Sequence, residues 1–234
     1  MPAITDAGYR ALVTVLESEL DVVAEGFAQL TEHQWSTPTA LVPVEPNEPP
    51  WTLLELAGHL DISIGITRML ISGADSEATE GERDAVDFFI FPSADVPSEF
   101  YEYAYTMVEG RSPADMSGVL RTTFSETIDE ARRTPGSTIG PFPGFEPYPL
   151  IRLDEFISTR IVEAVVHGID LTDALRRPST ATAEGIVHTA QLCDALLRRS
   201  RGGGRPSGLD DNMAWIRAAS GREHHSDSRL PLIV

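Results

Sequence analysis

Lysine is absent from this chain, and the sequence contains only one cysteine and no long apolar run. All 18 basic residues are arginine, and they face 36 Asp and Glu residues, so the formal net charge is −18. A chain of that charge repels phosphate backbones and anionic lipid headgroups, so we expect neither nucleic acid nor a membrane surface as a partner. No apolar window approaches the ~20 residues of a membrane-spanning helix, which predicts the absence of a membrane span.

The single cysteine, Cys193, excludes a disulfide within the chain, as is typical of proteins in a reducing cytoplasm. The N-terminal residues Met1–Asp6 do not show a basic region followed by an apolar run, so no signal peptide is predicted. We therefore expect a cytoplasmic protein. Its 234 residues, 41% of them hydrophobic, are enough for one substantial core.

Apolar residues recur at steps of three and four along most of the chain, which is the period of an α-helix. Connectors rich in proline and glycine interrupt this pattern, and no segment alternates as a strand does. The second helix has the clearest start, because Thr52 and Glu55 have the spacing of a capping box. The sequence predicts an all-α protein with its least regular part at 74–111. The predicted helices cover residues 5–31, 52–73, 112–133, 153–175 and 182–200, with one more helical turn at 210–219.

Three residues from two of these helices form a candidate metal site. Glu163 and His167 are spaced i, i+4 and therefore lie on one face of their helix, and His59 lies two turns into the second helix. Two imidazoles and a carboxylate can hold a divalent ion with an open position; zinc suits them, with nickel, iron and manganese as alternatives. The same residues are also compatible with a solvated helix face and a hydrogen-bonded core histidine, so both interpretations stay open from the residues alone.

Other charged residues accompany this set. Arg160 is a candidate catalytic residue that steers an anionic group, or else it forms a structural ion pair. Asp170 is either the acceptor that orients His167 or an ordinary acid on the helix surface. Arg222 is a second catalytic candidate if the tail folds back over the helices, and otherwise a surface arginine.

An aromatic-rich segment, residues 84–105, is the candidate for substrate selection. Its rings either line an apolar pocket over the metal or pack a loop onto the helices. The candidates are Phe88, Phe89, Phe91, Tyr101 and Tyr105.

Several segments together resemble a known family. The segment Trp51–Leu60 (WTLLELAGHL) resembles the start of the second helix in the DinB-like, mycothiol-dependent maleylpyruvate isomerase family. The segment from Arg160 to Leu171 is similar to the second metal-binding segment of that family. Gln34–Pro38 and the tail from Ser220 to Pro231 also resemble parts of it.

The resemblance implies a DinB-like four-helix bundle at residues 1–176, with an additional helix and an extended tail, residues 177–234, packed on it. It also implies a divalent ion, usually zinc, held by His59, Glu163 and His167, and mycothiol, the thiol of actinobacteria, as cosubstrate. The partners would then be this thiol and a small-molecule electrophile, and a homodimer is an open alternative to a monomer. The implied activity is thiol S-transfer or exchange, or thiol-assisted cis–trans isomerisation. The alternative is a non-catalytic metal- or ligand-binding DinB-like protein.

Overall fold

The computed structural model describes residues 6–41, 49–90, 99–142 and 149–233, without the side chains of 99–103. Helices dominate, which confirms the all-α prediction. In chain order the elements are α1 (Asp6–Ala28), a short 3-10 helix (Glu32–Ser36), α2 (Leu53–Ser72), α3 (Ala85–Ile90), α4 (Glu99–Val108), α5 (Pro113–Arg133), β1 (Ile139–Pro141), β2 (Leu150–Arg152), α6 (Leu153–Ala174), α7 (Ala183–Ser200) and α8 (Asn212–Ala219).

Helices α1, α2, α5 and α6 form a four-helix bundle in which α1 and α2 each pack against both α5 and α6. Their apolar stripes meet in one core, where burial of side chains such as Leu16, Leu60 and Ile161 provides the main stabilisation. Helix α6 is surrounded by α1, α2, α3 and α7, and 18 of its 22 residues are buried. Polar residues on α6 therefore face protein rather than water on most sides.

The start of α2 confirms the predicted capping box. The Thr52 hydroxyl accepts a hydrogen bond from the Leu54 N–H at 3.3 Å, and the Glu55 carboxylate accepts one from the Thr52 N–H at 2.7 Å. These bonds satisfy N–H groups that the first helical turn leaves without partners. The cap places His59 two turns into the helix, on the side that meets α6.

Three features differ from the sequence-based expectation. The first helix ends at Ala28 rather than near residue 31, and the 3-10 helix follows it. In the segment 74–111, where the sequence suggests at most one short helix at the aromatic cluster near 100–105, the structure has two helices, α3 and α4. The connector at 134–149 contains β1, which pairs antiparallel with β2 so that Ile139 lies opposite Arg152. Strands of three residues are too short to produce a recognisable alternation, which explains why the sequence did not reveal them.

The C-terminal helices pack onto the bundle: α7 contacts α1, α3 and α6, and α8 contacts α7. The division of the chain at residue 176 stays a prediction. Among the described residues, no helix combines the length and the apolar character needed to cross a membrane.

Candidate metal centre

Helices α2 and α6 bring the three predicted metal ligands together. One carboxylate oxygen of Glu163, Oε2, lies 3.4 Å from His59 Nε2 and 3.3 Å from His167 Nε2. Two atoms that each lie about 2.1 Å from a tetrahedral ion are about 3.4 Å apart, so this spacing fits ligands of one ion. All three ligand atoms lie within 4.8 Å of one another, and within the described part of the chain no other group of three or more such side chains is found.

The side chains of the cluster are partly exposed to solvent. His59 is the most accessible of the three, with 24% of its side-chain surface exposed. The neighbouring Arg160, by contrast, is only 1% exposed. The three candidate side chains thus lie at the margin of the packed interior rather than fully within it.

The protonation states of His59 and Glu163 at neutral pH favour binding of a cation. Burial lowers the pKa of His59, which keeps its imidazole neutral at neutral pH. Burial acts to raise the pKa of Glu163, but hydrogen bonds from His167 and His59 and the charge of Arg160 outweigh it and hold that pKa well below its ordinary value. A neutral imidazole and a carboxylate are the forms that bind a divalent ion.

Asp170 orients His167. Its Oδ2 lies 2.8 Å from His167 Nδ1. Burial acts to raise the pKa of Asp170, but the hydrogen bonds from His167 and Arg222 outweigh it and lower the pKa to about 2. Because a carboxylate only accepts hydrogen bonds, the nitrogen that faces Asp170, Nδ1, carries a proton, and Nε2 is the nitrogen directed to Glu163. Asp170 is buried, so of the two alternatives raised by the sequence the structure places it against the histidine.

Arg160 lies beside Glu163 in an aromatic environment. Its Nη1 donates a hydrogen bond to the Ser63 carbonyl at 2.6 Å, and its Nη2 lies 3.8 Å from Glu163 Oε1. The rings of Phe88 and Phe156 lie against the guanidinium, with centroids 4.9 and 4.6 Å from its central carbon. Buried Nη2 has no hydrogen-bond partner among the described residues. Arg160 is thus a counter-charge to Glu163, and its catalytic role stays a prediction.

Helix α3 contributes the aromatic wall next to Arg160. The Phe88 ring packs against Phe89 and Phe142, with centroids 4.8 Å away in both cases. The helix is fastened by the Glu155 carboxylate, which accepts a hydrogen bond from the Ala85 N–H at 3.0 Å. The predicted pocket residue Phe91 and the side chain of Tyr101 lie outside the described residues, and Tyr105 is half-buried in α4.

The sequence analysis missed several neighbours of the cluster. Trp51 stacks near His59, with ring centroids 5.1 Å apart, and Ser63 supplies the carbonyl that holds Arg160. Ser63 follows His59 by four residues, so its helical spacing already places it on the same face. Arg222 pairs with Asp170 across 52 residues of sequence, and its predicted catalytic role also stays a prediction.

Neither a scan of protein-family models nor a search of curated proteins finds a match to this sequence. Solved structures do match. The crystal structure of the mycothiol-dependent maleylpyruvate isomerase aligns with a TM-score of 0.61 and 15% identity, covering 100% of this chain and 99% of that chain. A histidine-to-alanine mutant of that enzyme aligns with a TM-score of 0.61 and 14% identity, covering 95% and 93%. The resemblance seen in the motifs is therefore confirmed at the level of the fold: this chain has the DinB-like fold of the mycothiol-dependent maleylpyruvate isomerase.

Proposed function

We propose that this chain is a metal-dependent enzyme that uses a low-molecular-weight thiol, mycothiol, to attack a small electrophilic substrate. The observation that carries the proposal is the cluster of His59, Glu163 and His167, in which a nitrogen of each imidazole lies 3.3–3.4 Å from one Glu163 oxygen, the spacing expected for ligands of one ion. The shared fold supports the choice of thiol. The reaction is either S-transfer or exchange, or thiol-assisted cis–trans isomerisation.

The donor set fits a divalent ion, with zinc the best match for two imidazoles and one carboxylate. His59, Glu163 and His167 would hold the ion, and three protein ligands would leave it at least one position for a thiol. An ion bound there would lower the pKa of a coordinated thiol, so that its thiolate is available at neutral pH.

The charges around the cluster are paired. Glu163 lies beside Arg160 and Asp170 beside Arg222, so two carboxylates face two guanidiniums. With both ligand histidines neutral, these four residues sum to no net charge, and the charge of a divalent ion is left uncompensated. We infer that the loaded site would stabilise a thiolate and the negative charge that develops on an attacked substrate.

Side chains around the cluster contact the candidate ligands and border the site. Arg160 lies next to Oε1 of Glu163, while Oε2 faces the two imidazoles. Phe88 and Trp51 provide apolar surface at the edges of the site, which would exclude water from a small organic substrate.

Elemental analysis of purified, untagged protein tests this proposal, with His167→Ala as the control. We expect about one zinc, nickel, iron or manganese ion per chain, lost in the variant. Loaded protein should then consume mycothiol in the presence of an aryl halide, or isomerise a cis-enoate such as maleylpyruvate. Protein that neither contains metal nor takes it up on reconstitution contradicts the enzyme proposal. Bound metal without turnover would favour the alternative, a metal-binding DinB-like protein.

A further inference from the structure

We propose that Arg222 is a positioning residue: it locks the carboxylate of Asp170, which in turn holds His167 in the tautomer and orientation that bind the ion. The inference rests on the proposed metal site. The C-terminal segment that carries Arg222 would then hold a metal ligand of α6, His167, in place.

The geometry is a continuous chain of hydrogen bonds. Arg222 Nε donates to Asp170 Oδ1 at 3.0 Å, and Arg222 Nη2 donates to Oδ2 at 2.8 Å. The same Oδ2 accepts the Nδ1 proton of His167 at 2.8 Å. Two parallel bonds fix the plane of a carboxylate, which a single bond cannot do. The direction in which Asp170 meets the imidazole is therefore set by Arg222.

Arg222 is itself held by the end of α8. Its N–H donates to the Arg217 carbonyl at 2.8 Å, and the Gly221 N–H donates to the Ala218 carbonyl at 3.3 Å, which together form a Schellman motif. Gly221 has φ +72°, the left-handed conformation this motif requires. Arg222 Nη1 also donates to the Ser220 carbonyl at 2.7 Å. The backbone bonds fix the position of Arg222 at the end of α8. Its guanidinium is held on one side by Asp170 and on the other by the Ser220 carbonyl.

A neighbouring ion pair supplies a matched control. Arg217, in the last turn of α8, makes two hydrogen bonds to Asp173, at 2.8 and 2.6 Å, and so also joins the C-terminal part of the chain to α6, one turn further along that helix. Asp173 is not among the side chains that contact the candidate ligands in the described structure. If both ion pairs only attach the C-terminal part of the chain to α6, loss of either arginine should change metal binding to the same extent. If Arg222 positions His167, only its loss should change metal binding.

The ion pairs Arg222–Asp170 and Arg217–Asp173 also differ in how deeply their carboxylates are buried. The Asp170 side chain is 4% exposed, whereas that of Asp173 is 32% exposed. A buried carboxylate that loses its partner cannot turn to water for a replacement, so it reorients or withdraws. The hydrogen bond to His167 should then weaken, while loss of Arg217 leaves Asp173 solvated.

The test uses the full chain and zinc alone. Zinc dissociation constants are measured by competition with a chromophoric chelator for wild type, Arg222→Ala and Arg217→Ala. Removal of a direct partner of a ligand histidine usually weakens metal binding about 10- to 100-fold. Because Arg222 acts through Asp170, we expect the lower end of that range for Arg222→Ala, about 10-fold, and less than about twofold for Arg217→Ala. Nitrogen-15 NMR of the imidazoles, above the titration of His167, reports its tautomer. It should show a protonated Nδ1 in wild type and Arg217→Ala, and a mixture in Arg222→Ala.

The outcomes separate this inference from the proposed function. Wild-type protein that binds no zinc contradicts the proposed function itself. Wild-type protein that binds zinc, together with equal losses in the two alanine variants or an unchanged tautomer in Arg222→Ala, overturns only the positioning role. If Arg222→Ala does not fold, Arg222→Lys carries the test, because lysine keeps the charge but not the paired donors. Weaker zinc binding and a mixed tautomer in the folded lysine variant support the inference, and wild-type values for both overturn it.

Discussion

At the scale of single residues, the two candidate histidine ligands have pKa values shifted in opposite directions, and that of His167 is raised. Burial acts to lower its pKa, but the hydrogen bonds to Asp170 and Glu163 outweigh burial and raise it. His59, in a similar position but without such a carboxylate at its other nitrogen among the contacts described, has a lowered pKa. A metal ion would therefore compete with a proton for His167 up to a higher pH than for His59.

This difference predicts the pH dependence of zinc binding. Below the raised pKa of His167, zinc must displace a proton, so affinity should fall as pH falls, by up to about tenfold per pH unit for one proton. In Asp170→Asn the charge that raises this pKa is gone, so the fall should begin at lower pH. Zinc dissociation constants measured from roughly pH 5.5 to 8.5 would show the shift. An identical midpoint in wild type and variant would contradict the role assigned to Asp170.

At the scale of elements, the close contact between α2 and α4 depends on a glycine next to a ligand. A Cβ atom on Gly58 would lie 2.7 Å from the Ala104 carbonyl oxygen and 2.8 Å from Val108 Cγ1. The first of these atoms belongs to the backbone of α4, so the helices would have to separate. Gly58 thus lets α4 approach α2 beside His59.

We predict that Gly58→Ala destabilises the protein by about 1–3 kcal/mol, the usual cost of overpacking. The matched control is Gly118→Ala in α5, where an added Cβ has nothing within 4 Å among the described residues. That change should stabilise the protein by roughly 0.5–1 kcal/mol, because alanine favours the helix more than glycine does. Urea unfolding of both variants measures the difference, and a Gly58→Ala protein as stable as wild type would refute the contact.

At the scale of the whole molecule, the candidate ligands link distant parts of the chain. His59 and Glu163 are 104 residues apart in sequence and meet only when α2 packs against α6. An ion held by both helices therefore binds the native state and not the unfolded chain. Its binding free energy should appear as added stability.

We predict that zinc at a thousand times its dissociation constant stabilises the fold by about 4 kcal/mol. For a chain of this length, that corresponds to a rise in Tm of roughly 8–16 °C. Calorimetry in zinc and in chelator measures the shift, and His167→Ala should abolish it. A similar rise in the variant would instead indicate that zinc binds elsewhere on the protein.

Local interactions explain how much could be predicted from the sequence. The capping box at Thr52 and Glu55 involves residues three apart, and the shared face of Glu163 and His167 involves residues four apart. Such contacts depend only on helix geometry, so the pattern identifies both the helix start and two of the candidate ligands. The motifs around these residues were also enough to indicate the fold that the solved structures confirm.

The sequence by itself determined the helical class, the start of α2 and the polar face of α6, because these follow from contacts within a turn or two. Only the tertiary structure decided that α2 faces α6, that Ser63 holds Arg160, and that Arg222 reaches Asp170. These pairings depend on which helix faces meet and on where the C-terminal segment folds. The periodicity of apolar residues within a helix specifies neither of these. Many arrangements of the same helices satisfy that periodicity equally well, and packing of the whole core selects one of them.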